Sequence, residues 1–134
     1  MSTKAMLFVT CIAAILVSTG VAAAAGPAVT IDYRRSACLQ MPDVETGKVR
    51  FFVQLVNTSS KKATFAKDIR FVWLRTDGWK DSWLNSIEGG ELAAPARGRK
   101  RWFADFGADP TKLIIRCALK IGDSNKLHHV KVLR

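Results

Sequence analysis

Apolar and polar residues alternate with a period of two along most of the chain beyond residue 26. Val29-Thr30-Ile31-Asp32-Tyr33-Arg34 alternates in this way, and so does the longer run from Val49 to Asn57. Successive side chains of a strand point to opposite faces, so a period of two predicts β-strands with one buried side. In the second run Val49, Phe51, Val53 and Leu55 share the face expected to be core. Between residues 68 and 75, Ile69, Phe71 and Trp73 fall on one side and Arg70, Val72 and Leu74 on the other. That composition predicts a strand covered on both faces, with Trp73 in the core. Further strands are expected over residues 101–106, 112–120 and 127–133.

Turn-forming residues punctuate these runs at Pro42-Asp43, Asp77-Gly78, Gly89-Gly90, Gly107-Ala108-Asp109-Pro110 and Gly122-Asp123-Ser124-Asn125. The intervals suit short antiparallel strands joined by tight connections. No stretch has the period of a long amphipathic helix, and residues 82–92 offer room for one helical turn at most. The expectation is therefore all-β: a single antiparallel sandwich of about seven strands, spanning residues 26–134.

The first 25 residues break this pattern. One cation, Lys4, precedes an apolar run over residues 5–17, and Gly20 is followed by the small residues 21–25. This order predicts a cleavable secretory signal peptide, cut after Ala23, Ala24 or Ala25. The alternative, an uncleaved membrane anchor, is weakened by Ser18, Thr19 and Gly20 and by the lack of a cationic stop after Ala25. The protein is accordingly expected to be exported, to the periplasm or the medium.

Charge and cysteine usage follow from that cleavage. The chain carries 21 Lys and Arg against 11 Asp and Glu, a formal charge of +10, and loss of Lys4 leaves about +9. Such a balance favours acidic partners or anionic surfaces. Cys11 departs with the signal, so three cysteines become two, and an even pair in an exported domain reads as a disulfide between Cys38 and Cys117. A redox-active pair would need C-x-x-C spacing or an activated thiol, and neither is visible.

The order of strands resembles that of bacterial immunoglobulin-like β-sandwich domains of exported proteins. The residues that carry the resemblance are Val53-Gln54-Leu55-Val56-Asn57-Thr58-Ser59, the run from Ile69 to Leu74, and Leu92-Ala93-Ala94-Pro95 leading into the strand from Trp102 to Phe106. The resemblance implies an immunoglobulin-like sandwich but no particular function, because this architecture hosts many. The chain departs from antibody-type domains in placing Cys38 at the end of the first strand or beyond it.

Chemistry-bearing motifs are mostly missing from the sequence. His128 and His129 are adjacent, so on a strand they point apart and cannot chelate one metal together. There is no nucleophile elbow and no phosphate-binding loop. Asp81, Glu88 and Glu91 are explained by a charged connection without acid–base chemistry. No cofactor or metal is expected, and a non-enzymatic role is favoured.

Two features point to binding instead. Arg97, Arg99, Lys100 and Arg101 place four cations in five residues, suited to carboxylate or phosphate through bidentate hydrogen bonds. Read as a loop, this segment either engages an anion or guards a sheet edge. Trp79 and Trp83 flank a polar stretch beside the Asp77-Gly78 turn, where they either cap the core or form a contact surface. The leading expectation is an exported basic binding module that uses these residues to engage an acidic protein or anionic envelope polymer. The alternatives are a periplasmic inhibitor or immunity-type protein, and a small secreted hydrolase. Nucleic acid ranks below protein as a partner, for want of aromatic residues interleaved along a basic groove. Asn57-Thr58-Ser59 is also a glycosylation sequon.

Overall fold

The structure, a computed structural model, describes residues 27–41, 47–81 and 86–134. The expected signal peptide and Trp83 lie outside the described residues. Those residues form β1 (Val29–Ile31), a 3₁₀ turn (Tyr33–Arg35), β2 (Ala37–Met41), β3 (Lys48–Asn57), β4 (Ala63–Thr64) and β5 (Ile69–Arg75). They continue with β6 (Gly78–Asp81), β7 (Ala93–Ala94), β8 (Arg99–Gly107), β9 (Ile114–Ile121) and β10 (His128–Leu133). The protein is all-β, and there is no α-helix among the described residues.

Where about seven strands were expected, ten are present among the described residues. The difference comes from breaks and short pairs that side-chain alternation does not reveal. The expected strand at residues 29–34 is interrupted by the 3₁₀ turn, and β2 resumes beyond it on the same edge of β3. Ser36 bridges the break: its hydroxyl donates to the Asp32 carbonyl (2.8 Å) and accepts from the Gln54 N–H (3.0 Å). β6 arises because Thr76 and Asp77 form a two-residue hairpin turn, with Gly78 at φ 120° and Arg75 paired to Gly78. β4 and β7 pair only with each other, as a two-stranded ribbon. No helical turn forms over the described part of the 82–92 segment; Ile87 instead makes an isolated bridge to Ile69.

The main sheet runs β8, β3, then β1 and β2 in line, then β10, β9, β5 and β6. β10 changes partner midway. His128, His129 and Val130 pair antiparallel with β9, whereas Lys131, Val132 and Leu133 pair parallel with β2. The two wings of the sheet meet over a shared core. Phe51 of β3 lies 5.0 Å from Phe71 of β5, centroid to centroid, and Phe106 of β8 lies 4.9 Å from Phe71. Trp73 stacks on Phe106 at 6.1 Å. Tilted and offset aromatic pairs at these separations add to the burial energy.

Val49, Phe51, Val53 and Leu55 are essentially inaccessible, as are Ile69 and Phe71, in accord with the alternation of their strands. Val72 is buried on the opposite face of β5, so that strand is partly covered on both sides. Cys38 and Cys117 form the expected disulfide.

Candidate binding face

β8 is an outer strand of the sheet: among the described residues its only strand partner is β3, in an unbroken antiparallel register from Lys48↔Gly107 to Val56↔Arg99. That register decides where its side chains go. Val53 opposite Trp102 and Val49 opposite Phe106 put Lys100, Trp102, Ala104 and Phe106 on the core side. Arg99, Arg101, Phe103 and Asp105 therefore face outward, beside Lys48, Arg50 and Phe52 of β3.

The four clustered cations thus do not share a loop. The loop is only the turn over residues 95–98, closed by the Gly98 N–H donating to the Pro95 carbonyl at 3.1 Å. Within it, Arg97 is exposed at φ 49°, the left-handed region, and its N–H donates to Ser59 (2.9 Å). Arg99 and Arg101 project from the outer face of β8. Lys100 projects from the other face, its Nζ 5.6 Å from the centroid of Trp102. Strand alternation spreads charges that a loop would have left adjacent, which reduces their mutual repulsion.

The outward face contains residues the sequence did not single out. Phe103 is 61% exposed. The Arg50 guanidinium lies 4.5 Å above its ring centroid, a cation–π geometry. The same guanidinium donates to both oxygens of Asp105, Nε to Oδ1 at 2.7 Å and Nη2 to Oδ2 at 2.9 Å, and Lys48 Nζ stands 3.7 Å from Oδ2. Hydrogen bonding from Arg50 holds the Asp105 carboxyl below the usual carboxylate range. Arg50 is therefore fixed by Asp105 in the position where it covers one side of Phe103. Arg101 Nη2 approaches the Arg35 carbonyl at 3.4 Å, which brings the 3₁₀ turn to the same face. The face combines Arg50, Arg99 and Arg101 with Phe52 and Phe103, bordered by the backbone of the 3₁₀ turn. Aromatic residues do interleave with cations, though across neighbouring strands rather than along one segment.

Trp79 is elsewhere. It sits on β6, at the opposite end of the strand order from β8, and is 44% exposed. With Val72, Lys80, Lys120, Asn125 and Leu127 it lines an open depression of about 310 Å³. The structure does not bring Trp79 to the basic face, so the two sequence features are separate surfaces.

Other candidates resolve into structural roles. Asn57 of the sequon is 2% exposed. Its amide donates to the carbonyls of Lys61 (2.9 Å) and Ala94 (3.1 Å) and accepts from the Ser59 N–H (2.9 Å). His128 stacks on Tyr33 with centroids 4.4 Å apart, and its partial burial, with Lys126 nearby, lowers its pKa. His129 points the other way and is exposed. Among the described residues no three His, Cys, Asp or Glu side chains gather as a metal site. No protein-family model matches this chain, and no curated protein is significantly similar to it.

Proposed function

We propose that the protein is an exported, non-enzymatic binding module of immunoglobulin-like sandwich architecture. Its outer β3–β8 face engages an acidic protein or an anionic envelope polymer. The observation that carries this reading is Phe103, 61% exposed and covered on one side by Arg50, with Arg99 and Arg101 on the same face of its strand. An aromatic ring flanked by guanidinium groups offers an anionic partner both bidentate hydrogen bonds and apolar contact.

Three further features support it. Arg97 occupies a backbone region that costs a non-glycine residue about 1 kcal/mol; a cation kept there at that cost is a reason to look for its use. The formal charge of about +9 beyond the expected signal also steers anionic partners toward the protein. The disulfide suits an oxidising, extracytoplasmic setting.

The test is charge reversal, Arg99→Glu with Arg101→Glu, followed by retention on anionic matrices and capture of partners from an envelope fraction. The variant is expected to elute at lower salt and to lose its partner. Unchanged retention and unchanged capture overturn the proposal.

A further inference from the structure

The outer edge of β8 is self-complementary, and we propose that a second copy of this chain is its occupant, pairing β8 with β8 antiparallel about a two-fold axis at Phe103. Four observations lead there. First, β8 spans nine residues, and its register with β3 has no shift, so the edge is long and regular. Natural edges are blunted by proline, bulges or charges; β8 has no proline or bulge, and its cations cluster at one end, leaving the stretch around Phe103 regular.

Second, the direction of its free backbone groups follows from the two ends of the β3 ladder. The Asn57 N–H donates to the Gly98 carbonyl (2.8 Å), and the Ala108 N–H donates to the Gly47 carbonyl (3.4 Å). Even-numbered residues therefore turn their backbone toward β3. The backbone N–H and C=O of Arg99, Arg101, Phe103, Asp105 and Gly107 point to the edge that no other described strand pairs with.

Third, Phe103 is the midpoint of β8 and the most exposed large apolar side chain among the described residues. An antiparallel pair centred there sets each Phe103 beside its counterpart on the same face, so that each ring covers one flank of the other.

Fourth, the same register sets Arg101 opposite Asp105 of the second copy, twice, and Arg99 opposite Gly107. A parallel in-register pairing instead sets Arg99 and Arg101 beside their own counterparts, so the charges favour the antiparallel arrangement, and the central Phe103 pair sets its register. In the pair the two outward faces become continuous, so the proposed anion-binding face is doubled and gains from simultaneous engagement of both halves. The pairing itself does not depend on that function.

Cross-linking tests the register directly. Residues directly opposite in a hydrogen-bonded antiparallel pair have Cα atoms about 5.5 Å apart, within the span of a disulfide. Under mild oxidation Phe103→Cys is expected to give a covalent dimer, while Arg99→Cys, far from its own counterpart, gives none. Sedimentation of the unmodified protein is expected to show a concentration-dependent dimer, abolished by Phe103→Lys. Because Phe103 also belongs to the proposed binding face, the dimer is read from sedimentation and cross-linking alone, independently of retention on anionic matrices. Absence of dimer up to about 1 mM, or equal cross-linking at both cysteine positions, overturns the proposal. Loss of anion binding with the dimer intact overturns only the functional reading.

Discussion

Cys38 and Cys117 lie with Cα atoms 6.3 Å apart although β10 runs between their strands, pairing with β2 on one side and β9 on the other. In a flat sheet, strands that flank a third are about 9.5 Å apart. The shorter separation places the fold of the sheet at β10, where that strand leaves one wing and joins the other. The disulfide closes this fold over residues 79 positions apart in sequence.

Removing the bridge, by Cys38→Ser with Cys117→Ser or by reduction, is expected to cost on the order of 4 kcal/mol, chiefly through the freedom regained by the unfolded chain. Guanidinium unfolding with and without reductant measures it. A loss below about 1 kcal/mol contradicts this account of how the wings are held.

Asn57→Ala leaves the carbonyls of Lys61 and Ala94 and the Ser59 N–H without their partner. The expected loss is about 2–3 kcal/mol. The same burial predicts that soluble, folded protein from a glycosylating host carries no glycan at Asn57, which peptide mass spectrometry checks. A fully occupied sequon in folded material refutes the structural role.

His128 is shifted below its ordinary pKa of 6.5, first by burial beside Tyr33 and then by the charge of Lys126. The unfolded chain then takes up a proton before the folded one does. This contribution to stability is complete above about pH 6.5 and is lost as pH falls through the folded value. Thermal melts across that window are expected to show a decline that His128→Gln flattens. An identical pH slope in both proteins removes His128 as its cause.

Arg97→Gly relieves a left-handed residue and is expected to raise stability by about 1 kcal/mol while weakening retention on anionic matrices. Chemical denaturation and salt elution read the two effects separately. Gain in stability with no loss of binding shows that the strain serves no partner.

Much of the wall of this fold was legible in the sequence because a period of two fixes which side chains of a strand are inside. Val49, Phe51, Val53 and Leu55, and Ile69, Phe71 and Trp73, all lie in the core as their alternation requires. The break at Ser36 and the brief pairing of β4 with β7 were not legible. They rest on a few hydrogen bonds, at Ser36 to Asp32 and Gln54 and between residues 63–65 and 90–94, and those leave no periodic trace.

The candidate face was legible only in part. The cluster of Arg97, Arg99, Lys100 and Arg101 announces itself by local density, but its division between a turn and two sides of a strand does so only once β8 is paired. Arg50 and Phe103 are 53 positions apart, and no local pattern joins them.

The sequence by itself determined the strand class, the inner faces and the pairing of the two cysteines left after the expected cleavage, since each follows from residue type, spacing or parity. Tertiary structure alone decided that β10 joins two wings, that Trp79 stands apart from the basic cluster, and that Arg50 covers Phe103 beside Asp105. These depend on strand order and register, which bring distant residues within contact range and which side-chain alternation leaves open.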